Sequence, residues 1–173
     1  DGTANPDTDI WEMYKTKTPP PTSLPIGVVL TIPAAGSESS DSSVLTNEET
    51  HEKRGLSTNL HRPRFAILNP ELTATLPSYQ VACGVVDIMM HTMERYFTLC
   101  DNLEITDTIA EALLRTVMQN AGILLREPDN YKARAEVMWA GSLSHNGLTG
   151  CGTNGGDWAS HKLEHELGGL FDV

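Results

Sequence analysis

The chain has 173 residues, 39% of them hydrophobic and 20% charged, which fits a folded globular protein of one ordinary domain or parts of two. A formal net charge of −11, with only 12 scattered Lys and Arg, argues against a phosphate-tracking surface, so no nucleic-acid partner is expected. No stretch approaches the roughly 20 apolar residues of a membrane-spanning helix, and Asp1-Gly2-Thr3-Ala4-Asn5-Pro6 has no signal-peptide pattern, so no membrane partner is expected either.

Residues 1–25 are polar and proline-rich, with Trp11 and Tyr14 in a short helix-like stretch, and read as a connecting segment. The run Ile26-Gly27-Val28-Val29-Leu30-Thr31-Ile32 is continuously apolar and β-branched. It predicts a strand covered on both faces in a mostly parallel sheet, ending at Pro33. After the polar loop Ala35-Gly36-Ser37-Glu38-Ser39-Ser40-Asp41, residues 42–46 and 55–58 predict a hairpin around the charged turn 48–54. Arg64-Phe65-Ala66-Ile67-Leu68 predicts another strand, stopped by Asn69-Pro70.

The periodicity turns helical after Pro77, and a domain boundary is expected near residue 73, dividing the chain into 1–73 and 74–173. Helices are predicted over 78–99, 105–126 and 131–146. In the second, Ile109, Leu113, Val117 and Leu124 share a face, and Glu127-Pro128 ends it. A glycine-rich loop over 147–156 leads to Asp157 as N-cap and a fourth helix to Leu167, with Gly168-Gly169 as its expected stop.

Two of these helices carry paired polar residues. Asp87 and His91 stand at i and i+4 in an otherwise apolar run, Gly84-Val85-Val86-Asp87-Ile88-Met89-Met90-His91, and so share a face. A buried hydrogen-bonded pair and half a metal site both account for them. His161 and His165 repeat the spacing on the fourth helix, and one carboxylate with two imidazoles suits Fe(II), Zn(II) or another first-row divalent metal. The zincin pattern is absent, because Lys162 rather than Glu follows His161.

Three other histidines read differently. His145, at the end of the third helix, reads as a cap or packing residue with a place near the site as the alternative, and His51 and His61 fall in polar turns, where exposure is expected. The loop Gly36-Ser37-Glu38-Ser39-Ser40 follows a strand, the position at which open α/β sheets bind nucleotides, with Lys53 as an added point charge. An ordinary polar loop and a charged hairpin tip are the alternatives, since neither GxGxxG nor a P-loop occurs. Cys83, Cys100 and Cys151 form no CxxC pair or cysteine-rich metal signature, so a reducing cytoplasm is the expected compartment.

Taken together, the blocks Leu30-Thr31-Ile32-Pro33-Ala34-Ala35-Gly36-Ser37-Glu38-Ser39, Asn69-Pro70, Gly84-Val85-Val86-Asp87 with His91, Glu127-Pro128-Asp129-Asn130-Tyr131, and Asp157-Trp158-Ala159-Ser160-His161 with His165-Glu166-Leu167 resemble the iron-containing alcohol dehydrogenases. The branch they resemble is that of NADPH-dependent butanol dehydrogenases and broad-range aldehyde reductases. The resemblance implies an α/β plus all-α architecture, the C-terminal part of a Rossmann-like nucleotide-binding domain followed by a helical metal-binding domain, truncated at both ends. It makes Asp87, His91 and His161 metal ligands, and His165 a residue near the reacting carbons that exchanges a proton with solvent. Thr31, Ser37, Ser40 and Lys53 would contact the dinucleotide, while Ala35 stands where many relatives carry Thr.

The implied cofactors are Fe(2+), with Zn(2+) as the alternative, and NADP(H) in preference to NAD(H). The implied assembly is a homodimer acting on a primary alcohol or aldehyde. The family's Gly-Gly-Gly-Ser pyrophosphate turn has no match here, and its fourth ligand, a histidine, falls just past Val173, so a central fragment is expected. A zinc-dependent glycerol dehydrogenase-like relative and a non-catalytic metal-binding or dimerisation module are the rival readings.

Overall fold

The computed structural model describes residues 1–171. Helix α1, Ile10–Thr16, starts where the Asp9 side chain accepts a hydrogen bond from Trp11 N at 2.8 Å, and it ends at Lys17 in the left-handed region. Its buried Met13 and Tyr14 pack on Leu56 in a small satellite core. The Tyr14 hydroxyl also meets Ser43 Oγ at 2.5 Å.

Strands β1, Gly27–Val29, and β4, Phe65–Ile67, pair in parallel, with Val28 opposite Ala66. One further hydrogen bond extends the pairing at each end, from Arg64 N to Ile26 O and from Leu30 N to Ile67 O. The expectation of a strand over 26–32 covered on both faces is not met. Val29 is 53% exposed and Ile67 50%, because the sheet has two strands and no described helix lies on it. Pro63 and Pro70, which lack an amide donor, flank β4 and confine the ladder.

The predicted hairpin forms from β2, Ser42–Asn47, and β3, Glu52–Ser57, in antiparallel register with Val44 opposite Gly55. His61, expected to be exposed, has its ring largely buried and pairs through Nε2 with Asp1 Oδ2 at 2.8 Å.

The main core lies where α2, Ser78–Tyr96, α3, Glu104–Leu124, and α4, Tyr131–His145, pack together. Helix α2 buries Val85, Ile88, Thr92 and Arg95, at alternating spacings of three and four residues that keep one face inward. Helix α3 answers with Ala110, Leu113, Val117 and Leu124, and α4 with Ala133, Val137 and Ala140. Ile88 and Val117 are wholly inaccessible at the centre. The turn Pro70–Thr73 is bound to this helical part, since Arg134 Nη1 donates to Thr73 O at 2.6 Å and to Thr73 Oγ1 at 3.1 Å.

Two helix ends differ from expectation. Helix α2 stops at Tyr96 rather than Leu99, which is fully exposed. Helix α5, Ala159–Phe171, runs through Gly168-Gly169 instead of ending there. Gly169 is buried against the hairpin, where a Cβ would lie 2.6 Å from His51 O, so tertiary packing overrides the usual stop.

Candidate metal centre

One face of α2 carries Asp87, His91, Glu94 and Arg95, at i, i+4, i+7 and i+8. The first turn of α5 brings His161 against that face. Asp87 Oδ1 lies 3.7 Å from His91 Nε2 and 3.4 Å from His161 Nε2. One donor atom from each of the three lies within 4.8 Å of the others, and the two imidazoles stack with ring centroids 4.6 Å apart. Donors bound at about 2.0–2.2 Å around one cation stand about 3 to 3.5 Å from each other, close to the separations of Asp87 from the two imidazoles, so a first-row divalent metal would draw the set together by a small adjustment.

The surrounding chemistry fits too. Glu94 Oε1 faces His161 Nδ1 at 3.2 Å, and because a carboxylate only accepts, that nitrogen carries the hydrogen and Nε2 is turned toward Asp87. Burial holds His91 to a pKa of about 4 against the opposing charge of Asp87, so its ring is neutral at pH 7. Among the described residues, His91 Nδ1 is buried without a hydrogen-bond partner. Burial works against the charged form of His161 as well, but its contacts to Asp87 and Glu94 outweigh that and raise its pKa. A divalent cation would relieve the same concentration of negative charge that favours the imidazolium.

Three residues that sequence reasoning did not place at the site enclose it. The His145 ring centroid is 4.0 Å from that of His91. Arg95 donates from Nη1 to His91 O and Ser144 O, each at 2.9 Å, and shares its Nη2 with His145 Nδ1 at 3.1 Å. The Trp158 ring covers the Arg95 guanidinium at 4.6 Å and meets His161 edge-on at 5.1 Å. The i+8 position after Asp87 was a usable signal for Arg95. His145 carried none, because its place depends on the packing of α4.

The remaining expected residues lie apart from these donors. His165 sits one turn beyond His161, half-buried, where burial lowers its pKa despite Glu164 at 3.6 Å. It lines an open cleft with Lys17, Lys53, Arg54 and Lys162, and Lys53 Nζ pairs with Glu164 Oε1 at 2.8 Å. Thr31 and Ser37 are exposed in the segment after β1. Ser40 is buried, and its Oγ accepts from Ser42 N at 2.9 Å. This segment is fastened to α4, because Ser39 Oγ donates to Ser142 O at 3.1 Å and Ser142 Oγ donates to the buried Glu38 carboxylate.

Known proteins resemble this chain in sequence and in fold. Residues 81–173 match the C-terminal model of the Fe-containing alcohol dehydrogenase family, and residues 2–70 match the iron-containing alcohol dehydrogenase model. The chain belongs to the iron-containing alcohol dehydrogenase family. It is 42% identical over 167 residues to NADH-dependent butanol dehydrogenase A of Clostridium acetobutylicum, covering 96% of this chain and 43% of that protein. Against the NADPH-dependent aldehyde reductase YqhD of Escherichia coli, identity is 45% over 144 residues, 83% of this chain and 37% of that protein.

The crystal structure of NADH-dependent butanol dehydrogenase A from Thermotoga maritima superposes with a TM-score of 0.94 at 39% identity, covering 98% of this chain and 42% of that one. The chain thus spans less than half the length of these relatives. Among the described residues, no helix is long and apolar enough to cross a membrane.

Proposed function

We propose that this sequence is part of an NAD(P)-dependent, iron-type alcohol dehydrogenase or aldehyde reductase, with Asp87, His91 and His161 as its metal ligands. The observation that carries this reading is the convergence of one carboxylate and two imidazoles from α2 and α5 within 4.8 Å. Residues 1–73 would belong to the dinucleotide-binding half and residues 74–173 to the helical metal-binding half. Iron is the family's metal, and Zn(2+) suits the same donors.

A bound cation would supply Lewis acidity toward a carbonyl or alkoxide oxygen, and a bound nicotinamide would supply or accept hydride. The chain's own residues prepare that chemistry. Asp87 supplies charge, and His91, held neutral by burial, offers a lone pair. His145 and Trp158 lie against His91 and exclude water from that side. His165 holds a proton at an imidazole open to the cleft and exchanges it with solvent. Exposed Thr31 and Ser37 offer hydroxyls to the dinucleotide, Lys53 offers charge, and Ser40 shapes the turn between them.

NADP(H) remains the preferred cofactor on the resemblance to the aldehyde reductase branch, with NAD(H) as its rival because several relatives are named as NADH-dependent. Parallel titration of the two nucleotides decides between them. A homodimer in the cytoplasm is the accompanying proposal, tested by the mass of the purified enzyme in solution and by cell fractionation. The direct test is His161→Ala in the full-length enzyme. Metal content and turnover should both fall, and unchanged metal stoichiometry would overturn the ligand assignment.

A further inference from the structure

The start of α5 has an unusual set of hydrogen-bond acceptors. A helix leaves its first amide hydrogens without partners inside the helix, and a side chain just ahead of it ordinarily takes them. Here Asp157 Oδ1 accepts from Ala159 N, at 3.0 Å. Trp158 stands next to it in the left-handed region, with φ of 58°, and offers no acceptor side chain. The amides of Ser160 and His161 instead donate to Glu94 Oε1 of α2, at 3.1 and 3.3 Å. The same oxygen accepts from the His161 ring at Nδ1, at 3.2 Å.

We infer that Glu94 is a positioning residue of the metal centre, whose carboxylate fixes both the backbone and the ring orientation of His161 and adds negative charge behind that ligand. The inference rests on the metal reading given above. Glu94 therefore acts at two levels. The two amide contacts set where the first turn of α5 sits on α2, and the ring contact selects the tautomer with Nε2 free.

Several features keep the carboxylate in place. Its side chain is only 6% exposed, so the alternative of a freely solvated surface glutamate does not apply. The turn before α5 passes close to α2 at Gly156, where a Cβ would lie 2.3 Å from Glu94 O, so the loop can approach only with glycine there. Arg95, the next residue on α2, places a buried cation on the other side of the cluster, and the charge of Glu94 offsets it.

Co(2+) is a convenient probe, because its visible absorption reports binding without turnover. In the full-length protein, Glu94→Ala should weaken Co(2+) affinity about 10–100-fold, the range for loss of a partner behind a metal-bound histidine. Glu94→Gln keeps an acceptor oxygen for the two amides but loses the charge. It should weaken Co(2+) about 10-fold, at the low end of that range, while hydrogen exchange of the Ser160 and His161 amides stays as in the wild type. Asp157→Ala, which removes the other cap, should speed exchange at Ala159 and leave Co(2+) affinity unchanged.

Glu94→Gln binding Co(2+) as tightly as the wild type would overturn the inference, as would Asp157→Ala losing as much affinity as Glu94→Ala. Failure of the wild type to bind Co(2+) would instead overturn the metal reading itself.

Discussion

His145 packs its ring on His91 with centroids 4.0 Å apart, so an imidazole from α4 walls off the side of a metal-ligand candidate on α2. Burial, reinforced by the neighbouring His91 and Arg95, pushes the pKa of His145 down to about 2 from an ordinary 6.5. The folded state therefore refuses a proton that the unfolded chain takes up. Below pH 6.5 the unfolded state binds more protons, so stability contributed by this site is intact above that pH and declines progressively as pH falls toward 2. His145→Asn should flatten the fall in Tm between about pH 6.5 and pH 4, measured by calorimetry across that range. An acid limb as steep as the wild type's would assign the pH sensitivity to other groups.

Arg95 ties α2 to α4 with one planar fork, reaching His91 O and Ser144 O from Nη1 and His145 from Nη2. Lysine keeps the charge but cannot present two nitrogens in that plane. Arg95→Lys should destabilise the protein by about 2–4 kcal/mol, since buried acceptors lose charge-assisted bonds. Urea unfolding measures this, and a loss below about 1 kcal/mol would show that a single ammonium suffices.

Ile88 lies at the centre of the three-helix core with no accessible surface, on the same helix as Asp87. Ile88→Ala should cost about 2–5 kcal/mol, combining lost transfer energy with the cavity left behind. The same variant should also loosen metal binding, because α2 carries the ligands, and equilibrium unfolding with and without added metal separates the two effects.

A cation held only by the folded state stabilises it by mass action. With metal at about 100 times Kd the gain is about 2.7 kcal/mol, and a chelator should remove it. Asp87→Asn should lower that difference to near zero, since the carboxylate is the anionic member of the donor set. Thermal unfolding of both proteins with and without chelator provides the comparison, and an undiminished chelator effect in the variant would exclude Asp87 as a ligand.

Much of this was legible in the amino-acid sequence where the signal was local. Asp87 and His91 announce themselves by their spacing within an apolar run, and α2 and α3 by their periodicity and by Pro77 and Pro128 at their ends. The hairpin was legible from two short runs around a charged turn. Glu94 was not, because a helical glutamate ordinarily reads as solvated and the amides it accepts from lie 66 and 67 residues later. The exposure of β1 was equally hidden, since a β-branched run reports what a strand needs and not what covers it. The extra turn of α5 follows from packing against a hairpin more than a hundred residues earlier, which a glycine pair cannot signal.

That contact at Gly169 also sets a distance elsewhere. The helix that carries His165 rests directly on the strand that carries Lys53, and the Lys53–Glu164 ion pair joins the same two elements. Any side chain at position 169 would push them apart, so the width of the cleft between the lysine and the imidazole is governed by a residue that contributes no side chain to it.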